Sequence, residues 1–600
     1  MKSFIIKTIV HLAAMLLASL GFIAILLVLT SLFSTKQPVE IAPDSVLVMN
    51  LNTNIPDAPQ QVDTWTAIID YFSSGTNRSV HLKGIIDAID RAAEDERISG
   101  LYLQGSLMPT DYGSGFASLN EIRVALLRFR QSGKPVTAYL TQPSLRDYYL
   151  ATAADTVVLN PFGYLNFKGL VAKGIFFAKA FDQYGIQVQT LQAGKYKSAV
   201  DRFTRQDMSP EDREQTQMVI DNLWHTIVAG VARDRNLEEA ALYTIAETHG
   251  ILSPEQARDY GLVDEIAYFD AVSEDWIGLT SYNDTLQSFP QVALADYAYE
   301  AGLLVSPEAE PVIAVVYAEG DIIDGEGWES FIGGDSLARE LRRLRRDDTV
   351  QALVLRINTP GGSAIASELI EREINLIRAA GKPVVISMGS LAASGGYWIA
   401  ARADYIFAQP ATLTGSIGIF GLVPNIQNLA AAIGITFDMV KTNTYADIDN
   451  IDRPKTQAEL ALLQQFVDQL YAIFINRVAQ GRNLDIGEAE ALAGGRVWTG
   501  EDALRLGLVD ELGGLNDAIS QARNLAGLDM KAPVLEIPEA RPTQLLDIFF
   551  AHPRGRPPVV RWYSLPGKGL PLVKKIEAWL YALNDPRHSY ARMPFTLSLE

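Results

Sequence analysis

Ser394 is the residue of this sequence best placed, by type and context, to act as a nucleophile. It stands in the segment Ser387–Tyr397, which follows a predicted buried strand, and two glycines come directly after it. A serine at a strand-to-helix junction has its hydroxyl near a helix N-terminus, where backbone N–H groups can stabilise an oxyanion. Runs of small residues are also typical of close packing between a helix and a sheet, so this pattern alone does not establish catalysis.

A second glycine turn, Asn358–Ser363, ends the preceding predicted strand at Ile357. We expect this turn and the turn at Ser394 to lie at the same edge of the sheet. Two oxyanion donors would then be available, one from Gly395 and one from Gly361 or Gly362.

A nucleophilic serine needs a base. The sequence has six histidines: His11, His81, His225, His249, His552 and His588. None falls in a recognisable motif, so a Ser-His-Asp triad is poorly supported. A lysine can serve instead if burial lowers its pKa from about 10.4 towards neutrality. Lys195 and Lys197 sit among small and apolar residues after the predicted strand Val188–Leu191, although solvated surface lysines produce the same pattern.

The composition limits the classes of protein that the chain can be. Its 600 residues exceed a usual single domain several-fold, and 48% are hydrophobic against 20% charged, which predicts two or more globular domains. A net charge of −20 would repel a phosphate backbone, so nucleic acid is not expected as a partner. The absence of cysteine excludes disulfides, thiolate metal sites and cysteine nucleophiles.

An uncharged run at residues 12–33 predicts a membrane anchor. Its 22 residues would reach roughly 33 Å as a helix, enough to cross a bilayer. Lys2 and Lys7 favour a cytoplasmic N-terminus at residues 1–11, with the acidic body on the extracytoplasmic side. A cleaved signal peptide is the alternative, but the run is long for one and Thr30–Ser34 lacks a small-x-small cleavage site.

The rest of the chain contains an internal duplication. Tyr148, Asp155 and Pro161 recur as Tyr397, Asp404 and Pro410, each displaced by 249 positions. The segments GKPV and GLVDE also recur at nearly the same displacement. We therefore predict two related domains, at residues 44–303 and 311–530, followed by a C-terminal tail at 531–600.

Each copy alternates β-branched strands with helices, which predicts an α/β fold of βαβ units around a largely parallel sheet. The strands are predicted at Val46–Leu51, Ile98–Leu103 and Pro135–Leu140 in the first copy and at Val312–Tyr317, Ala352–Ile357 and Pro383–Met388 in the second. An amphipathic helix is predicted at Ser367–Ala380, and helix-rich segments begin near Met208 and Thr456. The tail is rich in proline and basic residues. It suits either an anionic membrane surface or the protein's own acidic body.

Four motifs resemble those of the signal peptide peptidase A, or protease IV, family of serine peptidases in its long tandem form. They are AASGGYW at 392–398, NTPGG at 358–362, TGSIGIFG at 414–421 and GKYKSAV at 194–200. The resemblance implies a tandem ClpP/crotonase-like fold and peptide hydrolysis by a Ser-Lys dyad, without metal or cofactor. It also implies a homotetramer.

When the roles of the family are carried over by motif, Ser394 is the nucleophile and Lys197 is the general base. Lys195 is the neighbouring lysine, which must be distinguished from Lys197. Ser416 in TGSIG is the second hydroxyl that holds the lysine amine. The backbone groups of Gly361 or Gly362 and of Gly395 are the oxyanion donors.

Each copy lacks half of this chemistry. The first-copy counterpart of Ser394 is Leu145, and the second-copy counterpart of Lys197 is Thr444. A working dyad must therefore lie between the two copies.

The sequence thus predicts a membrane-anchored serine endopeptidase that degrades cleaved signal peptides and other short apolar or unfolded peptides. By the same resemblance it is placed in the bacterial inner membrane. Two alternatives belong to other classes. A non-catalytic, membrane-anchored peptide-binding scaffold would give no serine-directed labelling, and acyl-CoA chemistry on a crotonase fold would call for paired acidic catalysts, which the sequence lacks near both glycine turns.

Overall fold

The computed structural model describes residues 15, 18–19, 21, 41–59, 80–304, 311–328, 330–538, 585 and 589–593. Most of the predicted anchor at 12–33 and most of the predicted tail at 531–600 lie outside these residues. Within the part of the chain that is described, no helix is both long enough and apolar enough to cross a bilayer.

The described β-strands fall into two large sheets of six and eight strands, one in each repeat, a further mixed sheet of six strands and one two-stranded ribbon. They are β1 (Ser45–Asn50), β2 (Ile98–Gln104), β3 (Val136–Leu140), β4 (Thr156–Leu159), β5 (Leu165–Asn166), β6 (Gln187–Ala193), β7 (Ile251–Leu252), β8 (Glu265–Ile266), β9 (Gln291–Ala293), β10 (Val312–Glu319), β11 (Asp321–Ile323), β12 (Phe331–Gly333), β13 (Val350–Thr359), β14 (Gly361–Ser363), β15 (Val384–Ala393), β16 (Tyr405–Ala408), β17 (Leu413–Gly415), β18 (Ile419–Asn425), β19 (Val497–Thr499), β20 (Glu511–Leu512), β21 (Val534–Ile537) and β22 (Ser589–Arg592).

Helices connect the strands and cover both faces of the large sheets. They are α1 (Leu82–Glu94), α2 (Phe116–Gln131), α3 (Leu145–Ala151), α4 (Ala178–Gln183), α5 (Asp201–Thr204), α6 (Pro210–Arg235), α7 (Glu239–Thr248), α8 (Pro254–Asp259), α9 (Phe269–Leu279), α10 (Leu294–Glu300), α11 (Gly334–Arg345), α12 (Ala364–Ala379), α13 (Gly395–Ala400), α14 (Gln427–Ala432), α15 (Gln457–Arg482), α16 (Ile486–Leu492), α17 (Gly500–Arg505) and α18 (Leu515–Ala526). A single 3-10 turn, Ser198–Val200, precedes α5.

The two large sheets have the same strand order, which confirms the α/β class and the duplication. In the first repeat the order is β8-β4-β3-β2-β1-β9, with every neighbouring pair parallel. The second repeat runs β20-β16-β15-β13-β10-β21 in the same way, and β17 and β19 continue from β15. Because β21 joins this sheet, the second repeat extends beyond residue 530. The likeness of each repeat to the ClpP/crotonase type stays a prediction.

Matching tyrosines hold the matching helices in place. The Tyr148 hydroxyl donates to the carbonyl oxygen of Leu262 at 2.7 Å, and the Tyr397 hydroxyl donates to that of Leu508 at 2.8 Å. Both tyrosines are fully buried. The conserved spacing between the two copies therefore reflects one packing arrangement used twice.

The mixed sheet joins the repeats. Its order is β12-β11-β14-β22-β18-β6, so β6 of the first repeat pairs with β18 of the second. Strand β22 comes from the predicted tail and lies between β14 and β18. This sheet carries the first-repeat segment that follows β6 across to the second repeat.

A buried ion cluster also links the repeats. Arg356 on β13 donates through Nε to Asp57 Oδ2 at 2.9 Å, and its Nη2 lies 2.7 Å from Glu121 Oε1. Ser118 donates to the other oxygen of Asp57 at 2.8 Å. Because Arg356, Asp57 and Glu121 are almost fully buried, the pairing is required to offset their desolvation.

Candidate active site

Ser394 lies between the end of β15 and the start of α13. Its backbone has φ 57° and ψ −108°, a conformation that costs a non-glycine residue on the order of 1–3 kcal/mol. The Ser394 N–H donates to the carbonyl oxygen of Gly415 at 2.7 Å, and Trp398 N–H donates back to the Ser394 carbonyl at 2.8 Å. The hydroxyl is therefore held on a sharp strand-to-helix turn, as the sequence pattern predicts.

Two strand ladders bring Ser416 to this turn. In the parallel pair of β15 and β17, Ala393 lies opposite Gly415, so Ser394 and Ser416 each follow by one residue. In the antiparallel pair of β6 and β18, Ala193 lies opposite Ile419. Both ladders thus end close to Ser416.

The pairing of β6 with β18 also positions Lys197. This residue follows the end of β6, and Ser416 precedes the start of β18. Because an antiparallel pair places the end of one strand beside the start of the other, both residues lie just beyond the same end of the ladder. A first-repeat lysine is therefore positioned at the second-repeat serine.

The three side chains meet within hydrogen-bonding distance. Lys197 Nζ lies 2.6 Å from Ser394 Oγ and donates to Ser416 Oγ at 2.9 Å and to the Ser416 carbonyl oxygen at 2.8 Å. All three residues have 0% of their surface exposed. Lys195, in contrast, is exposed and stacks on the ring of Tyr196. The structure therefore separates the two neighbouring lysines by burial.

Burial lowers the pKa of Lys197 well below its ordinary value, because desolvation penalises the ammonium form. Among the described residues, no carboxylate forms an ion pair with Lys197 that would restore the charge. A neutral amine keeps a lone pair that can accept a proton. The arrangement thus meets the electrostatic requirement for a lysine base.

The loop that carries Lys197 is fixed from both sides. Ser198 Oγ donates to Asp212 Oδ1 at 2.6 Å, and Gln215 Nε2 donates to the Tyr196 carbonyl oxygen at 2.9 Å. Across the loop, a Cβ built on Gly495 would stand 2.7 Å from Lys197 Cβ and 2.8 Å from its Cα. Gly495 also has φ 84°, which favours glycine.

The glycine turn Asn358–Ser363 includes β14 and lies close to the start of α13, since a Cβ built on Gly361 would stand 2.7 Å from Gly395 N. Gly361 N–H donates to Thr359 Oγ1 at 3.1 Å, within its own turn. Gly362 lies opposite Ala591 of β22 in an antiparallel pair. Gly395 begins α13. The roles of Gly361 or Gly362 and of Gly395 as oxyanion donors stay predictions.

In each repeat, other residues stand at the positions equivalent to the dyad residue that the opposite repeat supplies. In the first repeat, the buried Asp147 accepts hydrogen bonds from Ser106 Oγ at 2.6 Å and from Leu107 N–H at 2.7 Å. By the displacement of 249 positions, Asp147 is the first-repeat counterpart of Gly396. Thr444, the second-repeat counterpart of Lys197, is exposed.

Sequence reasoning missed three features of the site. The Ser416 carbonyl oxygen is a lysine partner, Gly495 makes room for the lysine backbone, and β22 lies alongside the glycine turn. The pair Gly494-Gly495 was the available signal for the second feature. The other two depend on chain register and leave no local pattern.

Comparisons with known proteins identify similar peptidases. The model of peptidase family S49 matches residues 128–277 and 377–529, one segment in each repeat. The chain is 32% identical over 597 residues to "Protease 4" of Haemophilus influenzae, covering 95% of this chain and 94% of the relative. It is 36% identical over 520 residues to "Protease 4" of Salmonella typhi, covering 84% and 82%.

A more distant similarity extends to a plant protein. The chain is 32% identical over 493 residues to "Serine protease SPPA, chloroplastic" of Arabidopsis thaliana, covering 80% of this chain and 71% of that protein. The predicted resemblance to protease IV and signal peptide peptidase A is confirmed by these relatives.

Proposed function

Since the chain belongs to peptidase family S49, we propose that it is a serine endopeptidase whose Ser394–Lys197 dyad is shared between its two repeats. The observation that carries the proposal is the 2.6 Å separation between Lys197 Nζ and Ser394 Oγ in a fully buried site.

The lowered pKa of Lys197 favours a neutral lysine in the resting site, and its hydrogen-bond partners can accommodate that form. A neutral amine has two N–H donors and one lone pair. The two Ser416 oxygens can take the N–H groups, which directs the lone pair to the Ser394 hydroxyl proton. Ser416 therefore acts as a positioning residue for the base.

The mechanism follows from these positions. Lys197 takes the Ser394 proton as the hydroxyl oxygen attacks a peptide carbonyl carbon, and the Gly362 and Gly395 N–H groups hold the resulting oxyanion. The lysinium then gives its proton to the leaving amine, and Lys197 activates water to hydrolyse the acyl-enzyme. Peptide bond cleavage thus uses side-chain and backbone groups of this chain together with one water molecule.

The wider role is also part of the proposal. The uncharged run at 12–33 supports a single-pass anchor in the bacterial inner membrane, with the catalytic body on the periplasmic or extracytoplasmic side. Cleaved signal peptides remain in the bilayer, so an anchored peptidase would meet these and other short apolar peptides there. We propose a homotetramer on the strength of the family resemblance.

Peptide hydrolysis by the detergent-solubilised full chain tests the proposal. We expect turnover of short apolar peptides, its loss in Ser394→Ala and Lys197→Ala, and its retention in Lys195→Ala. Each variant is checked for an unchanged thermal transition. Retained turnover in folded Lys197→Ala protein would contradict the dyad.

A further inference from the structure

The strand Ser589–Arg592, here called the tail strand, lies between β14 and β18. It is antiparallel to both, with Ala591 opposite Gly362 and Tyr590 opposite Phe420. Strand β14 is the last part of the glycine turn Asn358–Ser363, and β18 begins at Ile419, shortly after Ser416. The tail strand therefore runs directly past the Ser394–Lys197 pair.

The backbone of the tail strand reaches the proposed oxyanion position. Met593 N–H donates to the Pro360 carbonyl oxygen at 2.7 Å, and the alternation of antiparallel pairs then directs the Ala591 carbonyl to Gly362 N–H. A Cβ built on Gly395 would stand 3.0 Å from the Ala591 carbonyl oxygen. A peptide carbonyl of the chain itself thus occupies the place where a substrate carbonyl is needed.

The side chains of the tail strand are held by specific contacts. Tyr590 is 1% exposed, and its ring centroid lies 5.5 Å from that of Phe420. Ala591 is fully buried in the core of the second repeat. Arg592 forms an ion pair with Asp321 at 2.7 Å. The side chains of Tyr590, Ala591 and Arg592 therefore all help to hold the tail strand in place.

A buried carboxylate fixes the chain just before the strand. Asp585 Oδ2 accepts from Ser363 Oγ at 2.6 Å and from Ile365 N–H at 3.3 Å. Its other oxygen accepts from Ser589 N–H at 3.2 Å. These bonds join the start of the tail strand to the end of the glycine turn.

We propose that the tail strand is an internal occupant of the peptide cleft, which a substrate must displace before it reaches Ser394. The inference rests on the proposed function, since it takes Ser394 as nucleophile and Gly362 as oxyanion donor. An extended peptide that adds a strand to a sheet forms the same main-chain hydrogen bonds as the tail strand. A substrate peptide and the tail strand therefore compete for the same position between β14 and β18.

The first test changes the tail strand in the full chain. Ala591→Glu places a charge in an apolar, fully buried position, and Ser598→Glu is the control that adds the same charge outside the strand. In preparations whose intact mass shows all 600 residues, Ala591→Glu should raise the rate of fluorophosphonate labelling at Ser394 about tenfold or more, equivalent to ~1.4 kcal/mol of docking free energy. Equal rates in the two variants would overturn the inference.

The second test does not depend on catalysis. Hydrogen exchange on full-length Ser394→Ala protein should show protected amides in residues 589–593. A saturating short apolar peptide should remove this protection while the amides of β13 stay protected. Fast exchange without peptide, or protection that saturating peptide leaves unchanged, would contradict an internal occupant.

Together the tests separate the two proposals. Labelling of Ser394 with unchanged rates in Ala591→Glu and fast exchange at 589–593 would leave the peptidase proposal standing and remove the tail inference. Peptide-dependent exchange at 589–593 with no labelling of Ser394 in any variant would keep the occupant and remove the dyad.

Discussion

The Lys197 amine lies 2.6 Å from the Ser394 hydroxyl, although the two residues come from different repeats of one duplicated fold. The lysine follows β6, and the serine follows β15, a strand of the other repeat. The contact depends on the mixed sheet, in which β6 pairs with β18. Neither repeat contains the pair by itself.

The lowered pKa of Lys197 predicts a pH dependence of the labelling rate. Because the neutral amine is the base, labelling of Ser394 should increase with pH through an apparent pKa well below that of an ordinary lysine. The rate is measured with a fluorophosphonate from pH 5 to 10. A midpoint near that of a solvated lysine would contradict a desolvated base.

The same pKa predicts a pH dependence of stability. The unfolded chain binds more protons than the folded chain between the folded and unfolded pKa values of Lys197. The free energy of unfolding should therefore increase with pH across that window. Lys197→Met should remove this increase and unfold at higher denaturant than the wild-type chain at the acidic end. A wild-type-like pH profile in Lys197→Met would refute the assignment.

Removing the Ser416 hydroxyl should slow catalysis without abolishing it. Ser416→Ala takes one hydrogen-bond partner from Lys197 and leaves the carbonyl partner in place. A hydrogen bond to a charged group is worth about 1.5–3 kcal/mol, so we expect a decrease in kcat/KM of roughly tenfold to a hundredfold.

Thr414→Ala is the matched control for Ser416→Ala. Thr414 also donates a buried hydroxyl hydrogen bond, to the Ala392 carbonyl oxygen at 2.8 Å, whereas the hydrogen-bond partners of the Lys197 amine belong to Ser394 and Ser416. Thr414→Ala should lower the free energy of unfolding and leave the pH midpoint of Ser394 labelling unchanged. An equal effect of both variants on that midpoint would show that Ser416 has no special role in positioning the base.

Gly495→Ala should displace Lys197. The added Cβ would stand 2.7 Å from Lys197 Cβ, and the backbone at φ 84° disfavours any side chain. Peptide turnover should fall at least tenfold. Gly507→Ala is the control, since Gly507 also has positive φ, 73°, but its Cβ would meet nothing within 4 Å. Equal turnover in the two variants would show that close approach to Lys197 is not needed.

The ion cluster between the repeats should contribute strongly to the free energy of unfolding. Arg356→Met leaves Asp57 and Glu121 buried without their cation and should lower the free energy of unfolding by about 3–5 kcal/mol. Arg339→Met removes an exposed pair with Glu326 and should cost less than about 1 kcal/mol. Urea denaturation checks both, and a small, equal cost would contradict a structural role for the cluster.

Much of the fold could be predicted from periodicity and repetition. The strand predicted at Val312–Tyr317 is part of β10 (Val312–Glu319), and the helix predicted at Ser367–Ala380 is α12 (Ala364–Ala379). These elements are determined by local patterns of apolar residues. The duplication repeats the same pattern of strands and helices, which predicts two related α/β domains but not their strand order.

The contacts between distant segments could not be predicted in this way. The pairing of β6 with β18 and of β22 with β14 depends on tertiary register, which no local pattern specifies. For the same reason, the residues alone could not distinguish Lys197 from Lys195. Motif resemblance selected Lys197, which is the buried lysine beside Ser394, whereas Lys195 is exposed.

The most direct test of the shared dyad is the site and dependence of a fluorophosphonate adduct on the purified full chain. Mass spectrometry should locate the adduct at Ser394, and labelling should be lost in Ser394→Ala and Lys197→Ala but kept in Lys195→Ala. An adduct at another serine, or labelling of Ser394 at the wild-type rate in folded Lys197→Ala protein, would contradict a Ser-Lys dyad formed between the repeats.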